Sequence, residues 1–220
     1  MAKVKIEIEE EYLKGLEEIG IPYIIPSNES IKSKYLEVPS IGLAVSKERI
    51  LFSTNFYDTQ KKLQDNNTKM LNMNEFKEFL KEAKEKDLEL YNSITQVRSP
   101  WRAEWIDADF KYENGNMFVV YHVFDERGNI FEKREKLDRN TLLDDRTPGI
   151  SLENWINNST KQGLPKKSIN KGDLYYWSPD KDNNSVARFG ANGGRADLSC
   201  YWIPSDANSV LGVRAAKQLQ

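Results

Sequence analysis

Arg195-Ala196-Asp197-Leu198-Ser199-Cys200-Tyr201 alternates strictly between two kinds of side chain. A strand sends successive residues to opposite faces, so Ala196, Leu198 and Cys200 are expected inward while Asp197, Ser199 and Tyr201 point out together. Just upstream, Ala187, Phe189 and Ala191 form a second inward row, interleaved with Arg188, Gly190 and Asn192. Gly193-Gly194 between the rows reads as a hairpin turn. After Trp202-Ile203, Pro204 ends the sheet. A polar loop from Ser205 to Ser209 follows, and Leu211-Gly212-Val213-Arg214-Ala215-Ala216 reads as a last strand. The implied result is one polar and aromatic outer face with two loops, mounted on an apolar inner face.

Composition sets this segment apart. Between Asp182 and Ala216 there is neither Lys nor Glu, although both pervade the chain before it. Asn, Asp, Ser, Gly, Tyr and Trp take their place, the palette of binding loops in which aromatics supply area and small polar residues adapt their hydrogen bonds. A changeable recognition surface is expected over about 178–210.

Upstream, Val4 to Ile8 alternates, and Tyr12, Leu13, Leu16 and Ile19 carry helical spacing as far as Gly20. Gly42 to Val45 and Arg49 to Phe52 read as short strands about a turn. Asn72 with Glu75 makes a capping box ahead of Phe76, Phe79, Leu80 and Ala83, which share one helical face. Trp105 to Tyr112, Met117 to Phe124 and Ile130 to Lys136, separated by turn sequences, predict a β-meander. A short helix follows around Leu152 to Ile156, then the aromatic strand Leu174-Tyr175-Tyr176-Trp177.

The 220 residues suit one domain with a small appendage. Lys and Arg (32) nearly balance Asp and Glu (34), so charge predicts neither a nucleic-acid nor a membrane partner. The first residues lack a signal-like apolar run, which points to the cytoplasm. One cysteine and one histidine leave no zinc-type cluster, and no cofactor is expected. Asp107 and Asp109 would share a strand face able to hold a divalent cation, although a plain surface face is the preferred reading. His122 lacks a visible partner for general-base work and reads as packed or solvated. Cys200 reads as a buried thiol. The aromatics Trp101, Trp105, Trp155, Tyr175, Tyr176 and Trp177 could line a groove but are assigned to the core.

The run Val186-Ala187-Arg188-Phe189-x-Ala191 … Ala196-x-Leu198-x-Cys200 … Pro204 … Leu211-Gly212-Val213-Arg214-Ala215-Ala216 resembles the C-terminal variable region of variable proteins encoded by diversity-generating retroelements in archaea and their viruses. Ile21-Pro22-Tyr23, Val38 to Lys47, Tyr57 to Gln60 and Val97 to Trp105 resemble the constant part of the same family. In such proteins a reverse transcriptase rewrites template adenines, and the changed codons fall on the ligand-binding face of a C-type lectin fold. Randomising the adenines of AAC or AAT codons never yields Lys, Glu, Gln or Met, which agrees with the composition. Trp202 and Arg195 would derive from an AGG codon.

The resemblance implies an α+β, C-type-lectin-like fold of the formylglycine-generating-enzyme-like subclass, with the meander inserted and an N-terminal helical extension. Residues 1–35 would form the extension and residues 36–220 the lectin-like domain. The implied function is non-enzymatic binding of a changing macromolecular target, read as a protein, possible also on a virion. Variable, ligand-binding positions would be Gly190, Asn192, Gly193, Gly194, Arg195, Asp197, Ser199, Tyr201, Trp202, Ile203, Asp206, Ala207 and Asn208, with no catalytic or metal-binding residue. Tyr201 and Trp202 would lie exposed at the centre, with Ile203 packed beneath the loop. The alternative is an enzyme, either of the formylglycine-generating type or a metal-dependent hydrolase using Asp107 and Asp109. The first would be expected to use paired cysteines.

Overall fold

In the computed structural model the predicted hairpin is formed by β8 (Ser185–Ala191) and β9 (Ala196–Trp202), antiparallel, with Phe189 opposite Leu198 and Ala191 opposite Ala196. Residues 34–180 and 182–219 are described. The chain divides after Ser33 into two units. The strand expected over Val4 to Ile8 and the helix over Tyr12 to Ile19 lie outside the described residues. The second unit is mixed α+β. Its first strand begins at Tyr35, inside the stretch assigned above to the extension.

Both inward rows are buried as read, with Ala187, Phe189, Ala191, Ala196, Leu198 and Cys200 all in the main core. The capping box fixes where the layer above them starts. Asn72 accepts from the N–H groups of Asn74 and Glu75 while Glu75 accepts from Asn72 N–H, and the four-turn helix α2 (Met73–Lys86) follows. Its Phe76 ring lies 5.4 Å from Phe189, and Trp155 of a short helix (Leu152–Asn157) stacks on Phe189 from the side. A further helix, α3 (Leu88–Thr95), packs against α2.

The meander forms as β3 (Arg102–Glu113), β4 (Asn116–Phe124) and β5 (Ile130–Leu137). It is no appendage. The end of β3, Asp109 to Glu113, pairs with β4, while Arg102 to Ile106 and Asp109 to Phe110 pair with β8, so the meander and the hairpin form one sheet in the order β5-β4-β3-β8-β9. The aromatic strand β7 (Leu174–Trp177) lies parallel to β9, and β6 (Arg146–Ile150) forms the edge beyond it.

Two expectations fail for reasons of backbone geometry. The predicted last strand splits: Leu211–Gly212 (β10) runs parallel beside β3, and Ala216–Gln218 (β11) joins a small sheet with β1 (Tyr35–Val38) and β2 (Leu43–Ser46). Arg49 to Phe52 makes only a bridge from Ile50 to Val213, because Leu51 and Ser53 take positive φ and turn the chain away.

That turn leads to the helix α1 (Phe56–Gln64), capped by Asn55, which lies over the other face of the sheet. Phe56 meets Trp105 edge-on at 5.6 Å, and Trp105 Nε1–H donates to Thr54 O. Phe56, Leu63, Met70, Leu211 and Val213 close a second apolar cluster there, so β8 is buried on both faces. Replacing Leu198 by Ala should therefore cost about 2–5 kcal/mol in urea denaturation, whereas Gly193→Ser, at the open hairpin turn, should stay within about ±0.5 kcal/mol. Equal losses at the two positions would contradict the layering.

Candidate functional site

The second layer changes what the outer face of the hairpin is. Asp197 and Ser199 do point away from the core row, but they are 5% and 0% exposed, not solvated. Gly190 is buried with them. Solvent exposure of Asp197 and Ser199 was the expectation; it fails because alternation fixes which face a residue takes and says nothing of what covers that face.

What lies there is an arginine among rings. Arg188 Nη2 sits 3.3 Å from Asp197 Oδ1, and its guanidinium carbon is 3.8 Å from the centre of the Trp202 ring and 5.7 Å from that of Trp101. Trp202 reaches this face through a β-bulge. From Val186 to Arg188 β8 takes two steps, while β9 takes three from Trp202 to Ser199. Strict alternation from Ala196 would have aimed Trp202 into the core; the extra residue re-aims it. Trp202 Nε1–H then donates to Asp206 Oδ2 at 2.8 Å, fixing the ring from its loop side.

Beyond Trp202 the rings continue. Tyr201 meets Trp202 edge-on at 6.4 Å and Trp177 at 5.9 Å. Arg195 lies over Tyr175 at 4.9 Å and over Trp177 at 5.9 Å. Tyr175 and Trp177 share this face because their register partners across the parallel β7–β9 pair are Asp197 and Ser199. A row Tyr175–Arg195–Trp177–Tyr201–Trp202–Arg188–Trp101 thus crosses the face, with Tyr201 its most exposed ring at 44%. Ile203, expected beneath the loop, is 66% exposed, since Pro204 turns its backbone toward Phe56 and leaves the side chain outside.

Open clefts flank the row. One, about 640 Å³, is walled by Trp177 and Tyr201 with Asp144, Asp145 and Asp180. The other, about 480 Å³, lies between α3 and the hairpin turn, with Gly194 and Arg195 on its wall. Among the expected variable positions, Gly193, Gly194, Tyr201, Ile203, Ala207 and Asn208 are exposed; Asn192, Arg195, Trp202 and Asp206 are half-buried; Gly190, Asp197 and Ser199 are buried. The aromatics assigned to the core divide accordingly. Trp105, Trp155 and Tyr176 are buried, whereas Trp101, Tyr175 and Trp177 belong to the row. The period-two spacing of Tyr175 and Trp177 carried that signal; the other end of the row, Arg188 and Trp101, had none.

On the opposite half of β3, Asp107 and Asp109 are buried, contrary to the surface face preferred above. A register shift between Ile106 and Asp109 interrupts β3 there and gives each carboxylate its own neighbours. Asp109 takes Lys111 at 2.8 Å. Asp107 accepts from Gln60 Nε2 at 2.7 Å and from the backbone N–H of His122 at 2.7 Å, with His122 Nδ1 at 3.2 Å. His122 therefore has the partner that the linear sequence hid. Among the described residues no group of three or more His, Cys, Asp or Glu side chains is arranged to hold a metal. Cys200 is fully buried, and burial with the nearby Asp145 charge pushes its thiol up, away from thiolate chemistry.

No family model, curated protein or solved structure matches the chain. No helix among the described residues is long and apolar enough to cross a membrane.

Burial opposes charge on His122, but the hydrogen bond and charge of Asp107 outweigh it and hold His122 above its ordinary value. A raised folded value means the pair stabilises the protein fully below about pH 6.5 and loses that contribution as pH rises through the folded value. His122→Gln should therefore destabilise most at pH 5.5 and least at pH 9 in paired urea titrations. A difference that does not vary with pH would remove the ion pair from the account.

Proposed function

We propose that the protein is a non-enzymatic binding protein whose ligand, a macromolecular surface and in our reading a protein, docks on the ring row from Tyr175 to Trp202 and on the loops at its two ends. One observation carries this reading: exposed and half-buried aromatics stand contiguous over one face, between two clefts, with exposed expected variable positions at each end of β9. Rigid aromatic anchors ringed by small polar residues are the arrangement from which interface energy is usually drawn, with a few large side chains contributing about 2 kcal/mol or more each.

The sequence resemblance of residues 186–216 supports the further step, that a retroelement diversifies these positions on a C-type-lectin-like scaffold of the formylglycine-generating-enzyme-like subclass. Ten of the thirteen proposed variable positions are exposed or half-buried, Gly190, Asp197 and Ser199 are buried, and none belongs to the inward rows. A buried polar group without a partner costs about 1–3 kcal/mol, so diversity aimed at those rows would unfold the scaffold.

A second reading rests on His122, which Asp107 orients as a general base is oriented by a carboxylate. It would make the protein an acid–base enzyme. Turnover of an ester or sugar substrate by the pure protein, abolished by His122→Gln, would favour it over binding.

The diversification reading is tested in the source genome. A reverse-transcriptase gene should lie nearby, with a near-identical template copy of the segment encoding Ser178 to Ala216. Template adenines should fall at the codons for Gly193, Tyr201, Ile203 and Asn208, and the inward codons for Ala187, Phe189, Leu198 and Cys200 should match between the copies. Mismatches spread evenly over both classes would overturn it.

A further inference from the structure

The buried members of the proposed variable set share one neighbour. Asp197 is the charge partner of Arg188 at 3.3 Å, and Ser199 is its register partner across the hairpin. At Gly190 an added Cβ would stand 2.6 Å from Arg188 Nη1, so the absent side chain is what lets the guanidinium lie where it does. Arg188 itself is buried, and its planar group covers Trp202 at 3.8 Å. The cluster is also loosely satisfied. Arg188 Nε and Nη1, Asp197 Oδ1 and Ser199 Oγ have no hydrogen-bond partner among the described residues. A guanidinium with unused donors has more than one place to settle when a neighbour changes.

We propose that Gly190, Asp197 and Ser199 are positioning residues for a single side chain, Arg188, and that exchanges at them reshape the recognition surface from beneath by moving the Arg188–Trp202 stack. The inference rests on the binding reading above and deepens it. Diversity would act in two tiers, the exposed tier touching the ligand and the buried tier setting how its aromatic floor is presented.

The physical steps are short. Asp197→Asn removes the counter-charge, leaving the guanidinium to find another acceptor. Asp206, which already holds the Trp202 indole, is the acidic group whose field also reaches Arg188. Gly190→Ser displaces Nη1, the nearest atom at 2.6 Å and the far end of a flexible side chain, while the Arg102 carbonyl oxygen at 3.2 Å leaves the new Cβ little other room. Ser199→Ala removes the hydroxyl that stands across the register from the same group. Trp202 contacts Tyr201 edge-on, so displacement of the stack passes to the most exposed ring of the row.

The first test uses the full chain labelled with nitrogen-15 and reads the indole N–H resonance of Trp202, assigned through Trp202→Phe. Asp197→Asn and Gly190→Ser should each move that resonance by more than its line width, and Gly193→Ser should leave it in place. In an Arg188→Met background, or Arg188→Gln should Arg188→Met fail to fold, Asp197→Asn should lose most of its effect on Trp202, since coupled positions are non-additive. An unmoved resonance, or the same shift in both Arg188 backgrounds, overturns the inference.

The second test pans two displayed libraries of the full chain against hen egg-white lysozyme as an arbitrary protein probe. One randomises Gly193, Gly194, Tyr201, Ile203, Ala207 and Asn208; the other randomises only Gly190, Asp197 and Ser199. Binders from both, with those of the second lost on Arg188→Lys, support the inference. Binders from the first alone overturn it and leave the binding reading standing. Binders from neither overturn both.

Discussion

The strand β8 is buried along its whole length and on both faces, and the rest of the domain is arranged around that constraint. A strand so placed is expected to be a continuous apolar run. This one is Ser185-Val186-Ala187-Arg188-Phe189-Gly190-Ala191, with a charge at its centre. On the inner side Phe189 is enclosed by Phe76 and Trp155, which is ordinary core. On the outer side Arg188 must be desolvated beside whatever its neighbours supply, and they supply a carboxylate, two indoles and a glycine. Arginine suits the position where lysine would not, because a flat, weakly hydrated guanidinium stacks on rings while pairing in its own plane.

How far this was legible in the sequence follows from the same strand. Periodicity located β8, β9 and their turn, assigned Phe189 and Leu198 to the core, and separated them from Arg188 and Asp197. The meander and the capped α2 were equally plain, because each is written in a local pattern of turn residues or caps. What periodicity could not report was the cover on the outer face. That cover comes from Phe56, Leu63 and Met70, more than a hundred residues upstream, and from Leu211 and Val213 after the loop. The bulge in β9 was hidden for a related reason. It is a property of the pairing, not of either strand alone, and it alone brings Trp202 onto the same face as Arg188.

Polar burial recurs at the start of β3, where Arg102 and Glu104 lie on the core side beside Arg214. Arg214 Nε sits 2.8 Å from Glu104 Oε2 while its plane covers Phe79. Its terminal nitrogen donates to the carbonyls of Ser46 and Lys47 at the end of β2. The domain thus ties its small sheet to its large one through an arginine, where an apolar side chain would have packed but joined nothing. Such buried ion pairs add little net stability and are costly to break singly. Their contribution here is geometric: they hold the segment between β10 and β11 against the start of β3 and the end of β2.

The two chemically notable clusters lie on different parts of the outer layer and differ in one respect that bears on function. At Asp107, each carboxylate oxygen is taken by a donor of the chain itself, Gln60 on one side and His122 on the other, and the helix α1 that brings Gln60 is thereby fastened to β3 and β4. At Arg188, donors and acceptors are left over, and the side chains around them are small or flat. The first arrangement has one solution and suits a fixed joint. The second leaves a guanidinium with unused donors beside a glycine and two flat rings, so hydrogen bonding does not hold it to a single partner. At Gly190 a Cβ would meet the mobile end of Arg188 first, at 2.6 Å, and the carbonyl oxygen of Arg102 next, at 3.2 Å, so what that position can hold is bounded both by a side chain that can move and by the strand beside it.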